Sequence, residues 1–168
     1  MDKKIRLLQV IPRLDVGGAE TGCKDIAQFI ANQNYFSAIL CSSGEQIKNI
    51  DQTKIKIFKF SVHSKNPFMI FFNIFVILFI VLFYKINIIH VRSRAPAWSC
   101  YFASKLLGLS LISTFHGTYN FTNYLKKFYN SVMLRGNSVI AGSKFILFLL
   151  TNCFKCLAFL LLIFDINP

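Results

Sequence analysis

The chain has 168 residues and a formal net charge of +12, and its length fits one domain with a sizeable core. The excess of Lys and Arg favours an anionic partner, such as a phosphate-bearing substrate or an anionic lipid surface, while their dispersal and the lack of a recognition motif argue against nucleic acid. Five cysteines form an odd set scattered through apolar contexts, which predicts reduced, buried thiols in a cytosolic chain.

The first predicted unit is a strand, a glycine turn and a helix. The run from Leu7 to Ile11 is apolar enough for a strand that is buried on both faces of a parallel sheet. Pro12 ends this strand, and Gly17 and Gly18 allow close approach of the backbone before a helical pattern that runs from Ala19 to Gln33. The first N–H groups of a helix lack partners within it, so this turn predicts a site for a pyrophosphate or a sugar phosphate.

Glu20, in the first turn of that helix, has two possible roles. Its carboxylate can compensate the positive end of the helix dipole, or it can accept a hydrogen bond from a sugar hydroxyl. The glycines do not have the spacing G-x-G-x-x-G, so the turn does not predict an NAD site.

Two strands and a long apolar segment come next. Phe36 to Cys41 and Ile55 to Phe60 are predicted as the second and third strands. The segment from Pro67 to Tyr84 contains one polar residue, Asn73, and no charge. It is either a crossover helix with an apolar outer face that lies on a membrane, or a membrane span, for which about 17–25 apolar residues suffice. We favour the crossover helix, because a span would separate the loops that follow the first and fourth strands.

A fourth predicted strand, Ile86 to Val91, precedes Arg92, Ser93 and Arg94. Two guanidinium groups that follow a strand, ahead of a helix that ends at Gly108, can clamp a phosphate. The alternative is that both are exposed arginines that only keep the protein soluble.

A fifth predicted strand, Leu109 to Phe115, ends at His116 and Gly117. His116 can contact a reacting sugar or phosphate, or it can bond a backbone carbonyl in a structural role. A basic helix, Tyr124 to Leu134, and a sixth strand, Ser138 to Ala141, continue the alternation of strands and helices. The pattern predicts an α/β fold, a Rossmann-like parallel sheet with helices on both faces and with ligands bound at the carboxyl ends of the strands.

Four segments of the sequence occur together in one order, namely LLQVIPRLDVGGAE, IIHVRSRAPAW, LISTFHGTYN and VIAGSKFI. With them the chain resembles, over about residues 4–146, the N-terminal domain of the family-four retaining glycosyltransferases, which have the GT-B fold. Bacterial members build lipopolysaccharide and other cell-envelope glycans from nucleotide sugars. The resemblance implies that this chain is the acceptor-side half of such an enzyme.

The resemblance also implies a site. Gly17, Gly18 and Glu20 resemble the GGAE loop of the family near the donor phosphates, and His116, followed by Gly117, resembles its active-site histidine beside the sugar. Residues 92–94 match a region that lines the acceptor side of the cleft.

The implied reaction is sugar transfer with retention at the anomeric carbon. Helix N-termini and basic side chains, instead of a metal, would meet the charge on the leaving diphosphate. No cofactor is expected, because the nucleotide sugar is a co-substrate. The three histidines are isolated and the acidic residues are not clustered, so the sequence predicts no metal site.

The chain departs from the family after residue 146. The family's second Rossmann domain carries a pair of glutamates, whereas the glutamates here are Glu20 and Glu45. We therefore divide the chain into a Rossmann-like domain, residues 1–146, and an apolar tail, residues 147–168, and expect the domain to be inactive alone. The tail is explained by a frameshift near residue 147 or by a membrane anchor, since residues 145–164 are enough to span a bilayer.

Two classes of protein follow from this sequence. The first is the acceptor-side domain of a glycosyltransferase, cytoplasmic and peripheral on the inner face of the membrane, with a nucleotide sugar and a glycan or lipid-linked acceptor as partners. The second is a small, non-enzymatic integral membrane protein with helices near residues 67–84 and 145–164. Residues 1–4 lead into a strand, so we expect no signal peptide.

Overall fold

The computed structural model describes residues 4–117, 123–154 and 161–163. In these residues seven parallel strands form one sheet in the order β3-β2-β1-β4-β5-β6-β7. The strands are β1 (Arg6–Val10), β2 (Phe36–Cys41), β3 (Ile55–Lys59), β4 (Ile88–Val91), β5 (Ser110–Phe115), β6 (Ser138–Ala141) and β7 (Leu161–Ile163). Strands β2 and β3 lie on one side of β1. The chain then crosses back, and β4, β5, β6 and β7 follow in order on the other side of β1.

Five α-helices connect these strands, and their sides of the sheet follow from the right-handed crossover rule. They are α1 (Gly18–Asn32), α2 (Pro67–Phe83), α3 (Arg94–Leu107), α4 (Tyr124–Ser131) and α5 (Lys144–Phe154), with 3-10 helices at Glu45–Asn49 and Val132–Leu134. Because the order of strands reverses after β3, α1 lies on one face and the later helices lie on the other. The predicted α/β fold, a Rossmann-like parallel sheet with helices on both faces, is confirmed.

The hydrophobic core has one cluster on each face of the sheet. On the α1 face, Cys23 and Ala27 pack with Ile39 and Ile55. On the opposite face a larger cluster joins the sheet to α2, α3 and α5 and includes the fully buried Ile77. Burial of this apolar surface is the main favourable term for folding.

Local signals explain where the helices begin and end. Pro67 occupies the first turn of α2, and the Asn66 side chain accepts a hydrogen bond from the Phe68 N–H at 2.9 Å. After α1, α2 and α3 the chain turns through left-handed residues, Asn34, Lys85 and Gly108, with φ of 60°, 51° and 63°. This conformation satisfies carbonyls at a helix C-terminus and directs the chain into the next strand.

The segment from residue 67 to 84 is the predicted crossover helix between β3 and β4. Within the described part of the chain, no helix has the length and apolar character that a membrane crossing requires. The six predicted strands are all present. Cys23, Cys41 and Cys100 are buried free thiols, as predicted, and the other two cysteine side chains lie outside those described.

Residues 145–164 are not described as one helix, and both explanations of the tail, a frameshift and a membrane anchor, stay predictions. Helix α5 ends at Phe154, and Leu161–Ile163 is a strand that pairs in parallel with β6 through Val139 and Leu161. Sequence analysis missed this short strand because it lies in a continuous apolar run without periodicity. The division of the chain at residue 146 stays a prediction, and residues 155–160 and 164–168 of the tail lie outside the described residues.

Candidate active site

The candidate site lies at the carboxyl edge of the sheet, where β1 and β4 are neighbours. The chain after β1 enters α1 on one face, while the chain after β4 enters α3 on the other, and such a reversal opens a crevice in α/β sheets. A cavity of about 510 Å³ occupies this position. It is lined by Gly18, Ala19, Gly22, Asp25, Ile26, His90, Arg92, Thr114, His116, Ile140 and Gly142.

Arg92 is the side chain that connects the elements around this cavity. Its Nε donates to Gln9 Oε1 at 2.9 Å, and its Nη2 donates to the Gly22 carbonyl at 3.1 Å. Its Nη1 donates to the Ala19 carbonyl at 3.4 Å and lies 3.3 Å from His116 Nε2. One guanidinium therefore joins β1, the first turns of α1, and the residue that follows β5.

These contacts change the expected role of Arg92. A guanidinium has five N–H donors, and four of those of Arg92 point at protein acceptors. The residue is 5% exposed. Although burial lowers its pKa, the guanidinium stays charged at neutral pH. Arg92 is thus first a brace within the site, and at most one N–H is left to contact a ligand.

The contact with Arg92 determines the tautomer of His116. A guanidinium can only donate, so Nε2 of His116 accepts and the ring proton lies on Nδ1. Burial, together with the smaller effect of the Arg92 charge, lowers the pKa of His116 to about 4. At neutral pH the ring is therefore neutral, with an Nδ1–H donor, on a residue that lines the cavity.

Polar side chains that sequence analysis did not select lie in the lining of the cavity, as His90 and Thr114 do, or contact Arg92, as Gln9 does. His90 and Thr114 share a hydrogen bond of 2.7 Å between Nε2 and Oγ1, and Gln9 Nε2 donates to the Cys23 carbonyl at 2.7 Å. Burial, with the nearby charges of Arg92 and His116, lowers the pKa of His90 to about 3. A signal for these residues did exist, since Gln9 and His90 are polar interruptions of two apolar strands and are register partners.

The N-terminus of α1 forms one wall of the cavity. The helix begins at Gly18, so the Gly18 and Ala19 N–H groups have no partner within the helix. Gly18 is exposed, and a Cβ placed there would meet no atom within 4 Å. The Glu20 carboxylate folds back over Gly17, in the space that a Gly17 side chain would need. This position, three residues after the N-cap, fits the dipole-compensating role of Glu20.

The other predicted site residues lie beside the cavity rather than in its lining. Arg94 Nη1 donates to Asn130 Oδ1 at 3.0 Å, so it faces α4 and does not join Arg92 in a two-arginine clamp. Ser93 is the N-cap residue of α3 and has an extended backbone. Gly117 follows His116 after β5, and neither Ser93 nor Gly117 lines the cavity. The structure therefore brings Gly18, Arg92 and His116 together, with Gly17 and Glu20 next to them.

A family comparison agrees with this geometry. The model of Glycosyltransferase Family 4 matches residues 16–156 of the chain. The chain belongs to Glycosyltransferase Family 4.

Solved structures resemble this family-4 chain over nearly its whole length. A glycosyltransferase from Rickettsia africae ESF-5 is 35% identical and has a TM-score of 0.82, with 95% of this chain and 42% of that one covered. Anabaena Alr3699/HepE, solved in complex with UDP and glucose, is 15% identical with a TM-score of 0.72, covering 95% and 44%. Sucrose-phosphate synthase from Thermosynechococcus elongatus is 9% identical with a TM-score of 0.70, covering 94% and 47%.

The family-4 chain spans less than half the length of these structures. The two more distant ones show the shared fold alone. No curated protein gives a significant match. Within residues 4–117, 123–154 and 161–163, no group of three or more His, Cys, Asp or Glu is placed to hold a metal ion.

Proposed function

We propose that this domain is the acceptor-side half of an enzyme that transfers a sugar from a nucleotide sugar to a cell-envelope glycan, such as a lipopolysaccharide precursor. The observation that carries the proposal is the convergence of three groups on one cavity: the free N-terminus of α1, the braced Arg92, and His116. A helix N-terminus suits a diphosphate, and a neutral imidazole N–H suits a sugar hydroxyl. Membership of Family 4 supports the same reaction class.

Each group has a distinct part in the proposed transfer. The Gly18 and Ala19 N–H groups bind oxygens of the donor phosphates, where negative charge grows as the diphosphate leaves. His116 donates from Nδ1 to the sugar and so orients the anomeric carbon. Because its pKa is about 4, His116 is a hydrogen-bond donor at neutral pH and not a general acid. Glu20 balances the helix dipole when the site is empty and accepts from a sugar hydroxyl when it is filled.

The proposed enzyme needs a second domain in addition to the one that this chain forms. The matched structures are more than twice as long as the portion that this chain covers. We infer that residues 4–146 bind the acceptor and one side of the donor, and that turnover needs a second domain. The acceptor is a glycan or a lipid-linked glycan, and the protein works at the inner face of the membrane without a cofactor.

The experiment is a binding titration of the full chain with a panel of nucleotide sugars, followed by NMR of the histidine ring nitrogens. We expect at least one donor to bind and to shift the His116 signals. His116→Ala should weaken that donor about tenfold, the value of roughly one hydrogen bond. His63→Ala, in an exposed loop where the ring bonds Ser42 at 2.7 Å, is the matched control and should leave affinity unchanged.

Two results would contradict the proposed function. One is that no nucleotide sugar in the panel binds at millimolar concentration. The other is that a donor binds equally well to the wild-type chain and to His116→Ala, with both variants folded by circular dichroism.

A further inference from the structure

An apolar stripe runs along the outer side of α2. Its side chains are between 54% and 85% exposed, although all are aromatic or aliphatic. We define the α2 stripe as Phe68, Phe71, Phe75, Phe79, Leu82 and Phe83. Their spacing of three, four or seven residues puts them on one side of the helix. Exposed apolar patches of this size mark interaction surfaces, because leaving them in water is unfavourable.

The other side of α2 is committed to the core. Ile77 is fully buried, and Ile80 and Val81 are nearly so. The Asn73 side chain is also buried and donates to the Ser61 carbonyl at 3.2 Å. The helix is therefore fixed to the sheet and to α3, and its 17 residues present the stripe along about 25 Å of the surface.

Neighbouring helices add aromatic surface to the same face of the sheet. Phe102 on α3 and Phe128 on α4 are both about half exposed. The chain's single tryptophan, Trp98, lies between them, with ring centroids 5.8 Å and 5.4 Å away. The Arg135 guanidinium lies 5.4 Å from the centroid of that tryptophan ring.

The charge on this side of the molecule has one sign. Residues 52–164 contain thirteen Lys and Arg and no Asp or Glu. Lys65 and Lys85 stand exposed at the two ends of α2, and Lys105 on α3 and Lys126 on α4 are also exposed. The acidic residues that the structure describes all precede β3, in α1 and in the loops and 3-10 helix around β1–β3.

We propose that the α2 stripe, with the exposed aromatic residues of α3 and α4, is a docking surface for an anionic lipid bilayer. Aromatic side chains enter the boundary between headgroups and acyl chains, while lysines at the ends of a helix contact lipid phosphates. A second copy of the chain is a poorer occupant. Pairing two such faces would bring lysine against lysine, with no carboxylate between β3 and residue 154 to oppose them.

The test is co-sedimentation of the full chain with vesicles of phosphatidylcholine alone and with 30 mol% phosphatidylglycerol added (roughly a physiological anionic fraction). We expect binding to the anionic vesicles and release by about 1 M salt. Phe71→Ser with Phe75→Ser and Phe79→Ser should abolish binding. Lys65→Gln with Lys85→Gln should weaken it by a factor of ten or more, at about fivefold per charge.

Matched controls come from the α1 face. Phe29, 62% exposed on α1, is changed to Ser as the control for loss of a single exposed aromatic side chain, compared with Phe75→Ser alone. Lys24 and Lys48 are changed together to Gln, which removes the same two charges as the Lys65 and Lys85 variant. Both control variants should bind as the wild type does. A second readout, quenching of Trp98 by brominated lipids, should occur with the wild type and should disappear with the triple Phe variant.

Several outcomes would overturn the proposal. They are failure of the wild type to bind anionic vesicles, equal binding to neutral and anionic vesicles, and unchanged binding by a triple Phe variant that is folded by circular dichroism. A wild-type dimer in solution that the triple Phe variant converts to a monomer would assign the stripe to a second copy. The docking surface rests on the membrane location in the proposed function and not on sugar transfer. Loss of vesicle binding with intact nucleotide-sugar binding would overturn the docking surface alone, and loss of nucleotide-sugar binding would overturn the proposed transfer alone.

Discussion

The two edges of the sheet carry cavities of the same size and different character. The cavity at the carboxyl edge and the one at the amino edge each measure about 510 Å³. Each also has an arginine among its lining residues, Arg92 at the carboxyl edge and Arg6 at the amino edge. Volume and positive charge alone therefore do not distinguish a candidate active site from a surface groove.

The groups around the two arginines do distinguish them. Arg6 Nε donates to the Tyr84 carbonyl at 2.7 Å, and its guanidinium lies 4.5 Å from the centroid of the Phe36 ring. The amino-edge cavity adjoins the C-terminal end of α2, where the helix dipole is negative. The carboxyl-edge cavity adjoins the N-terminal end of α1 and contains His90 and His116. Strand direction thus decides which edge can hold an anion and position a histidine.

The largest effect is expected from a glycine at the carboxyl edge. Gly44 has φ of 153°, and a Cβ there would collide with the backbone of Leu14. Gly44→Ala should therefore lower the free energy of unfolding by about 4 kcal/mol or more. Gly108 at the amino edge has φ of 63° and open space around it, so Gly108→Ala should cost about 1 kcal/mol. Urea unfolding measures the free energy of unfolding of both variants. Equal losses of stability in Gly44→Ala and Gly108→Ala would contradict the expected difference between the edges.

Exchanging each arginine for methionine compares the two braces directly. Arg92→Met leaves Gln9 Oε1 without its donor and removes a second donor from the Ala19 and Gly22 carbonyls of α1, and should lower stability by about 3 kcal/mol. It should also raise the pKa of His116, because the charge of Arg92 contributes to lowering it. Arg6→Met should cost about 1 kcal/mol and leave His116 unchanged. Urea unfolding and an NMR titration of His116 test this, and a costlier Arg6→Met would contradict it.

Stability should depend on pH through the two histidines of the carboxyl edge. The folded pKa values of about 4 for His116 and about 3 for His90 lie below the unfolded value of about 6.5. The unfolded chain therefore binds more protons below pH 6.5, so stability is highest near neutral pH and falls with acidification.

Between pH 7 and pH 5 both folded rings stay neutral, so each histidine should contribute to the loss. His90 should contribute about 2 kcal/mol, and the less buried His116 a smaller amount because solvent screens it. The amino-edge cavity has no histidine in its lining and adds nothing in this range. Urea unfolding at several pH values measures the loss, and NMR follows each ring. A flat stability profile, or a His90 ring that titrates above pH 6, would contradict the expectation.

The smallest effect on stability is expected at the start of α1. Gly18→Ala should change the free energy of unfolding by less than about 0.5 kcal/mol, since the new Cβ meets no atom within 4 Å and alanine favours helix. Donor binding should nevertheless weaken, because the methyl group would stand where a phosphate approaches the N–H groups. Gly117→Ala, which also has open space, is the stability control. A large loss of stability in Gly18→Ala would show that the turn itself is strained.

Much of this architecture was predictable because the relevant signals are local. Apolar runs between turn residues identify six strands, and Pro67 with Asn66 marks the start of α2. The position of His116 follows from its place after a strand, since parallel strands end at one edge. The contact between Arg92 and His116 was not predictable, because it depends on the register of β4 against β5 and on side-chain direction. Arg94, two residues later, illustrates the same limit by facing α4.

The order of the strands has a consequence for how the protein folds during synthesis. After β4 has joined β1, the strands β5, β6 and β7 each add beside the strand made before it. The sheet can therefore grow one strand at a time as the chain leaves the ribosome. The one slow step is the pairing of β4 with β1, because β2, β3 and α2 separate these two strands in the sequence. The lining of the carboxyl-edge cavity is complete once Gly142 has emerged.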